Sequence, residues 1–281
     1  LDDDGSHLAL YYTDYFPRAT KRAGAWMNNI YEAVHLDGRD QDPMIVNVCN
    51  FTTPTGDTPS LLNIDETRTL FHEFGHATHG FLTKCHYPMV SGTNVARDFV
   101  ELPSQVLEHW AVEPEVMKQY AFHYQTGEVI PDSLIAKMQN AGNFNSGFET
   151  TELVAAALLD IECHMLTNYD DFEAGAFEKA VTEKIGLIPE IPFRYRSTYF
   201  NHVFSGGYAV GYYSYLWAEV LDADAFEAYK ESGNVLNEEL GRSFRRNVLE
   251  MGGSEEPMEL YKRFRGAEPN PDAMLHGRGL K

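Results

Sequence analysis

Residues 70–80, LFHEFGHATHG, constrain this chain more than any other stretch. Their core, His72-Glu73-Phe74-Gly75-His76, places two histidines four apart, and on an α-helix such residues stand one above the other on the same face. Both imidazoles then face a single metal ion. Glu73 follows His72 directly and can reach a water at the metal's open position, where a carboxylate serves as general base. The pattern is the H-E-x-x-H of zinc hydrolases. It predicts a helix, a metal on one face of it and a third protein ligand from elsewhere in the chain.

Composition bounds the rest. At 281 residues and 43% hydrophobic, the chain can bury a sizeable core. A formal net charge of -20 argues against nucleic acid or an anionic membrane surface as partner, and fits a soluble protein that handles small or cationic ligands. There is no run of about 18 apolar residues, hence no expected membrane span. Cys49, Cys85 and Cys163 form no C-x-x-C pair and read as buried, reduced thiols, which suits the cytoplasm. The chain opens LDDDGSHLALYY with neither an initiator methionine nor a signal-peptide pattern. A strand-like run begins almost at once, as though the sequence were cut from a longer protein whose N-terminus would carry any export signal.

Residues 8–12 and 44–50 are rich in β-formers and read as strands, with a short amphipathic segment at 24–34 between them. Residues 51–60 are loop chemistry, as are 91–94. A helical pattern starts at Asp65, passes through the histidine motif and ends near Thr83. From Asp98 onward helix dominates, with candidates at 98–112, 116–127, 133–142, 150–166, 175–186, 211–233 and 240–252, most with Gly or Pro near their ends. No repeat, heptad run or linker interrupts the pattern. The expected fold is mainly α, one domain over residues 1–281, with a small β-sheet near the N-terminus.

A catalytic zinc takes three protein ligands and keeps a fourth position for water. His79 lies close by, but three imidazoles from one straight helix would strain around a tetrahedral ion, and Gly80 is off the metzincin register. His79 therefore reads as structural. Glu101, in RDFVELPSQVLEHW, sits near the start of a second helix, which is how sites with two histidines and a glutamate are built. Spacing alone does not select it over Glu66 or Glu108. Glu108 lies two turns after Glu101 on the same face. It suits either a carboxylate that orients a metal-bound imidazole or a solvated helix-face glutamate.

The segments RAGAWM, VNVCNF, LFHEFGHATHG, SGTNVARDFVELPSQVLEHW, RYRSTYFNHVFSGGYAVGYYSYLW and LHGRGL are spread along a stretch from about Tyr11 to the end, nearly the whole chain. Together they resemble the thimet oligopeptidase family of zinc peptidases, and within it the bacterial peptidyl-dipeptidase (dipeptidyl carboxypeptidase) branch. The resemblance implies a zincin-like helical catalytic domain with one Zn2+ held by His72, His76 and Glu101, and Glu73 as base and proton shuttle. It also implies that Tyr208 and Tyr215 contact substrate and stabilise the transition state, and that His202 faces the substrate. The implied activity is hydrolysis of short peptides with release of C-terminal dipeptides. The alternatives are endo-acting cleavage of the thimet or oligopeptidase A type, and a fragment that binds peptide without cleaving it. Family members also have a large helical N-terminal portion, forming the opposite wall of a deep channel, which is expected to be missing here.

Residues 202–217 read HVFSGGYAVGYYSYLW. The paired Gly206-Gly207 lets backbone approach a ligand closely. Tyr208, Tyr212 and Tyr215 recur at helical spacing, so their hydroxyls can project into one cleft. For Tyr212 a cleft role and a core role stay equally open, whereas Tyr213 and Trp217 read as core. The VNVCNF strand suits either an edge that pairs with an extended peptide or an ordinary sheet strand. Residues 91–94 are candidates for contact with the peptide's C-terminal side. Arg194 and Arg196 are candidate carboxylate anchors, although a structural role fits them better.

Overall fold

Helix dominates, as the apolar periodicity after residue 98 predicts. The computed structural model, which describes residues 1–36 and 38–281, is 47% helical with a small sheet near its N-terminus. The strands are β1 (Leu10–Asp14), β2 (Trp26–Tyr31), β3 (Val34–Leu36), β4 (Arg39–Gln41) and β5 (Met44–Val48). The amphipathic segment at 24–34 is therefore extended, and most of it is β2. Strands β3 and β4 pair as a separate two-stranded antiparallel sheet that the sequence pattern does not signal.

The main sheet has the order β1-β5-β2, with β1 parallel to β5 and β2 antiparallel to it. That corrects the edge reading of VNVCNF. β5 is the central strand, with partners on both sides. Past its end, the Cys49 and Phe51 N–H groups still donate to the Asp14 and Tyr15 carbonyls at 2.8 Å. An extended peptide has no free ladder there to join. All three cysteines are buried and free.

Helix α1 (Ile64–Leu82) carries the histidine motif, and its start is locally encoded. The Asn63 side chain accepts from the Glu66 N–H at 2.8 Å, while a Glu66 oxygen accepts from the Asn63 N–H at 3.0 Å, a reciprocal capping box. The other Glu66 oxygen takes the Thr52 N–H at 2.7 Å and its hydroxyl at 2.9 Å. Glu66 is thus committed to the cap and drops out as a metal ligand.

Two glycines let α1 pack against its neighbours. A Cβ on Gly80 would lie 2.3 Å from Ile45 Cδ1, so the glycine lets α1 rest on the sheet without displacing that side chain. A Cβ on Gly75 would lie 2.4 Å from the Pro103 carbonyl oxygen and 2.6 Å from Ser104 Cα, both backbone of helix α2 (Leu102–Ala111). Ala in place of Gly inside a helix ordinarily adds about 1 kcal/mol of stability. Here Gly75→Ala is expected to destabilise by about 3 kcal/mol, because backbone cannot step aside as a side chain can. Thermal melts decide the sign, and a raised Tm would refute the close crossing of α1 and α2.

The remaining helices are α3 (Pro114–Tyr120), α4 (Asp132–Ala141), α5 (Ser146–His164), α6 (Ala174–Ile185), α7 (Asn201–Phe204), α8 (Ser214–Glu231), α9 (Glu238–Phe244), α10 (Pro257–Arg265) and α11 (Asp272–Gly277). Among the differences from the sequence pattern, three stand out. Residues 98–101 are turns, and α2 begins at Leu102 with Pro103 in its first turn, where a missing N–H costs nothing. The segment 116–127 leaves helix after Tyr120 and folds back, with Phe122 bridging Val129. The segment 240–252 breaks into α9 and a π-helical turn, Arg245–Leu249, whose Arg245 guanidinium is held by Asp2 at 2.6 and 2.7 Å.

Two hydrophobic clusters flank the motif. One gathers Phe99, Leu102 and Val106 with α8, α9 and α10 residues such as Leu221, Phe226, Phe244 and Tyr261. The other gathers Leu159, Cys163, Val181, Phe193, Phe200 and Tyr212, with Tyr208 and Tyr215 packed against it. Arg278, in the closing LHGRGL, ties the C-terminus to α8 and α5 by donating to Glu219 and to the Thr150 hydroxyl at 2.6 Å. Among the described residues, no helix is long and apolar enough to cross a membrane.

Candidate metal centre

His72 and His76 project from one face of α1, their rings 4.9 Å apart and nearly perpendicular. Glu101 stands immediately before α2 and faces both of them. Its Oε2 lies 3.3 Å from His72 Nε2 and 3.2 Å from His76 Nε2. Metal–ligand bonds of about 2.0–2.2 Å in a tetrahedron place neighbouring ligand atoms roughly 3.3–3.5 Å apart. One ligand atom from each of the three residues lies within 4.8 Å of the others, so the donor set fits a divalent ion such as zinc.

His72 and Glu101 are each held from behind. His72 Nδ1 lies 2.7 Å from Glu108 Oε1, an arrangement that leaves Nε2 facing Glu101. Of the two readings open for Glu108, the structure shows the carboxylate on the imidazole, the support usual for metal-bound histidine. Glu101 is only 2% exposed. The Ser104 hydroxyl donates to its Oε2 at 2.9 Å, and the Tyr208 hydroxyl donates to its Oε1. Burial alone would raise the Glu101 carboxyl, but the imidazoles of His76 and His72 outweigh it and hold the group well below the usual carboxylate range.

Glu73 is buried beside this set. Burial pushes its carboxyl above the ordinary glutamate value, and among the described residues its Oε2 has no hydrogen-bond partner. A buried carboxylate oxygen without a partner is costly unless something else occupies its front. His79, on the same helix, is fully buried, and burial drives its pKa down to about 3, so it is a neutral ring. It is not part of the three-residue group.

The tyrosine segment reaches this group through Tyr208, whose hydroxyl donates to Glu101. The Tyr208 and Tyr215 rings stack with centroids 5.3 Å apart and planes 14° apart. Burial, then the nearby Glu101 carboxylate, raises both hydroxyls well above the usual phenol range, so both stay protonated donors. His202 is half-buried among Tyr195, Tyr208, Tyr212 and Tyr215, with ring centroids 5.2–6.3 Å away. Burial lowers its pKa, and its Nδ1 is without a partner among the described residues. Tyr212 is buried in the second cluster, which answers the open reading in favour of core. Tyr213 corrects the sequence expectation: it is 43% exposed, and its hydroxyl donates to Asp98 at 2.9 Å. Trp217 packs against the first cluster.

Asp160 on α5 was not singled out in the sequence, yet it shapes this segment. Its carboxylate accepts the Val210 and Tyr212 N–H groups at 3.0 and 2.9 Å. Between them Val210 is held at φ 57, where a β-branched side chain is disfavoured. The signal was available: a single Asp inside the apolar run LVAAALLDIE is a buried polar residue waiting for partners. Asp160→Ala is expected to cost about 3 kcal/mol, since two hydrogen bonds to a buried carboxylate are lost. Chemical denaturation measures the cost, and a change under about 0.5 kcal/mol, as at an ordinary surface site, would mean the clamp is not holding the loop.

The two arginines considered as anchors are already paired. Arg194 meets Glu152 at 3.2 Å, and Arg196 meets Glu178 at 2.9 Å. Residues 91–94 are tied into the fold: the Gly92 N–H donates to the Thr83 hydroxyl at 3.1 Å and the Asn94 amide to the Pro88 carbonyl at 2.9 Å.

A family model described as Peptidase family M3 matches residues 1–280. The chain is 47% identical to dipeptidyl carboxypeptidase of Escherichia coli over 286 residues, covering 100% of this chain and 41% of that protein. It is 42% identical over 283 residues to oligopeptidase A of the same species, again covering 100% of this chain and 42% of that protein. Thimet-like oligopeptidase of Dictyostelium discoideum is 38% identical over 283 residues, 99% of this chain and 42% of that protein. The chain thus spans about two-fifths of the length of the curated relatives it matches. With the match running from the first residue to the penultimate one, this chain belongs to peptidase family M3.

Proposed function

We propose that this chain is the catalytic part of a zinc peptidase that hydrolyses short peptides and releases dipeptides from their C-termini. The observation that supports this most is the convergence of His72, His76 and Glu101 within 4.8 Å, with the unpartnered Glu73 carboxylate buried beside them. His72, His76 and Glu101 would hold the ion. Bound there, zinc supplies a Lewis acid that polarises a carbonyl and makes water more acidic. Glu73 accepts a proton from the attacking water and passes it to the leaving amine. Tyr208 and Tyr215, as neutral phenols, would donate hydrogen bonds to the oxyanion of the tetrahedral intermediate, Tyr208 by turning its hydroxyl away from Glu101, and His202 lies beside both rings.

Dipeptide release is favoured over internal cleavage because dipeptidyl carboxypeptidase matches at 47% identity and oligopeptidase A at 42%. Two measurements test the reading. Elemental analysis of the purified protein should give one zinc per chain, removable by a chelator together with activity. A blocked peptide with a free C-terminal carboxylate should be cut far faster than its amide. Equal rates on both would replace dipeptide release with an endo-acting peptidase. Because the relatives are longer, both assays belong on a form of matching length as well as on this chain; activity confined to the longer form would mean the fragment binds peptide without turning it over.

A further inference from the structure

The structure assigns to Arg97 the role of anchor for the carboxylate at the substrate's C-terminus, an inference that rests on the peptidase reading above. In a chain of formal net charge -20, a free carboxylate is repelled from most of the surface. A cleft that selects peptide C-termini needs a local cation that is not already neutralised. Arg194 and Arg196 are spent on Glu152 and Glu178. Arg97 is different: it is exposed, and among the described residues it forms no ion pair.

Its position is built. The Arg97 guanidinium carbon sits 4.5 Å from the centre of the Tyr208 ring, the ring whose hydroxyl donates to Glu101. Space for the side chain comes from two glycines of the loop. A Cβ on Gly207 would lie 3.4 Å from Arg97 Nη2, and one on Gly211 would lie 3.2 Å from Arg97 Cγ. A Cβ at Gly211 would crowd the arginine and one at Gly207 would just touch it, so the loop that delivers Tyr208 also seats it. Stacking on an aromatic face leaves the N–H edge of a guanidinium open, and that edge matches a carboxylate with two parallel hydrogen bonds. Two extended residues reach about 7 Å. That span carries a C-terminal carboxylate from a scissile bond at the metal ligands to a cation one ring beyond Tyr208. The predicted ligand class is a peptide with a free α-carboxylate two residues past the cleaved bond.

The test uses the zinc-loaded protein at full natural length, with Arg97→Met, which keeps the stem but loses the charge, and Arg97→Lys. The substrates are one blocked tetrapeptide as the free acid and as the C-terminal amide. Arg97→Met should lower kcat/KM on the acid by on the order of 10²-fold, mainly through KM, with a far smaller loss on the amide. Arg97→Lys should recover part of the loss. Calorimetry with a free dipeptide gives a readout independent of turnover: its Kd should weaken by a similar factor in Arg97→Met, while the dipeptide amide binds both forms alike. Equal losses on acid and amide would overturn the proposal and make Arg97 a support for Tyr208. An unchanged dipeptide Kd would overturn it as well. If the unaltered protein cuts neither peptide but binds the dipeptide through Arg97, the anchor stands and the catalytic reading falls.

Discussion

Glu73→Gln is expected to cut kcat by on the order of 10³-fold while leaving zinc bound. A positioned general base contributes typically 10²–10⁴-fold, and the amide can neither accept the water proton nor return it to the leaving amine. Retention of metal follows from position. Glu73 is outside the group of His72, His76 and Glu101, so the change alters charge without removing a ligand. The fold should also tolerate it, because the buried Glu73 Oε2 has no hydrogen-bond partner to lose among the described residues. Substitution by the neutral isostere also removes the cost of a carboxylate that burial already disfavours. Steady-state assays with elemental analysis of the same sample separate the outcomes. Activity within tenfold of the unaltered protein would remove Glu73 from the reaction; loss of zinc along with activity would leave its role as base unproven.

Glu101→Ala carries the second large effect, and its sign is opposite for metal: zinc stoichiometry should fall from one towards zero after dialysis. Four contacts vanish together, since Glu101 faces both imidazoles and receives the Ser104 and Tyr208 hydroxyls. Glu108→Gln is the informative control. Glu108 supports His72 from behind at 2.7 Å, and removal of such a partner typically weakens metal affinity by about 10–100-fold without abolishing binding. The order Glu101→Ala far worse than Glu108→Gln is therefore the expected result in a competition with a chelator of known affinity. Equal effects would imply that Glu101 and Glu108 share the ligand role, and undiminished zinc in Glu101→Ala would exclude Glu101.

Local signals carried much of the architecture. The Asn63–Glu66 capping box starts α1, and the four-residue histidine spacing fixes which face of it holds the imidazoles. Both act within a few residues, where sequence distance and spatial distance agree. The small sheet was visible as two β-rich runs, but its order was not. Whether β5 lies at an edge or in the centre depends on where β1 and β2 dock, and alternation of side chains is the same in either case. The Tyr213 error has a related cause: aromatic periodicity marks a face, not its neighbour, and here that hydroxyl finds Asp98, 115 positions away.

By itself, the sequence determined a mainly helical chain of peptidase family M3 with two histidines and a glutamate poised on one helix. It offered three glutamates for the third ligand without a physical reason to choose among them. Only the tertiary structure assigned their places: Glu66 to the α1 cap, Glu108 behind His72, and Glu101 in front of both imidazoles. It alone joined Tyr208 to Glu101 across 107 positions and seated Arg97 against that tyrosine. The physical reason is range. Caps and helical faces are set by backbone hydrogen bonds over a single turn. A metal site needs atoms from separate elements within a few ångströms, and close approach of backbones, as at Gly75 and Pro103, decides which atoms those are.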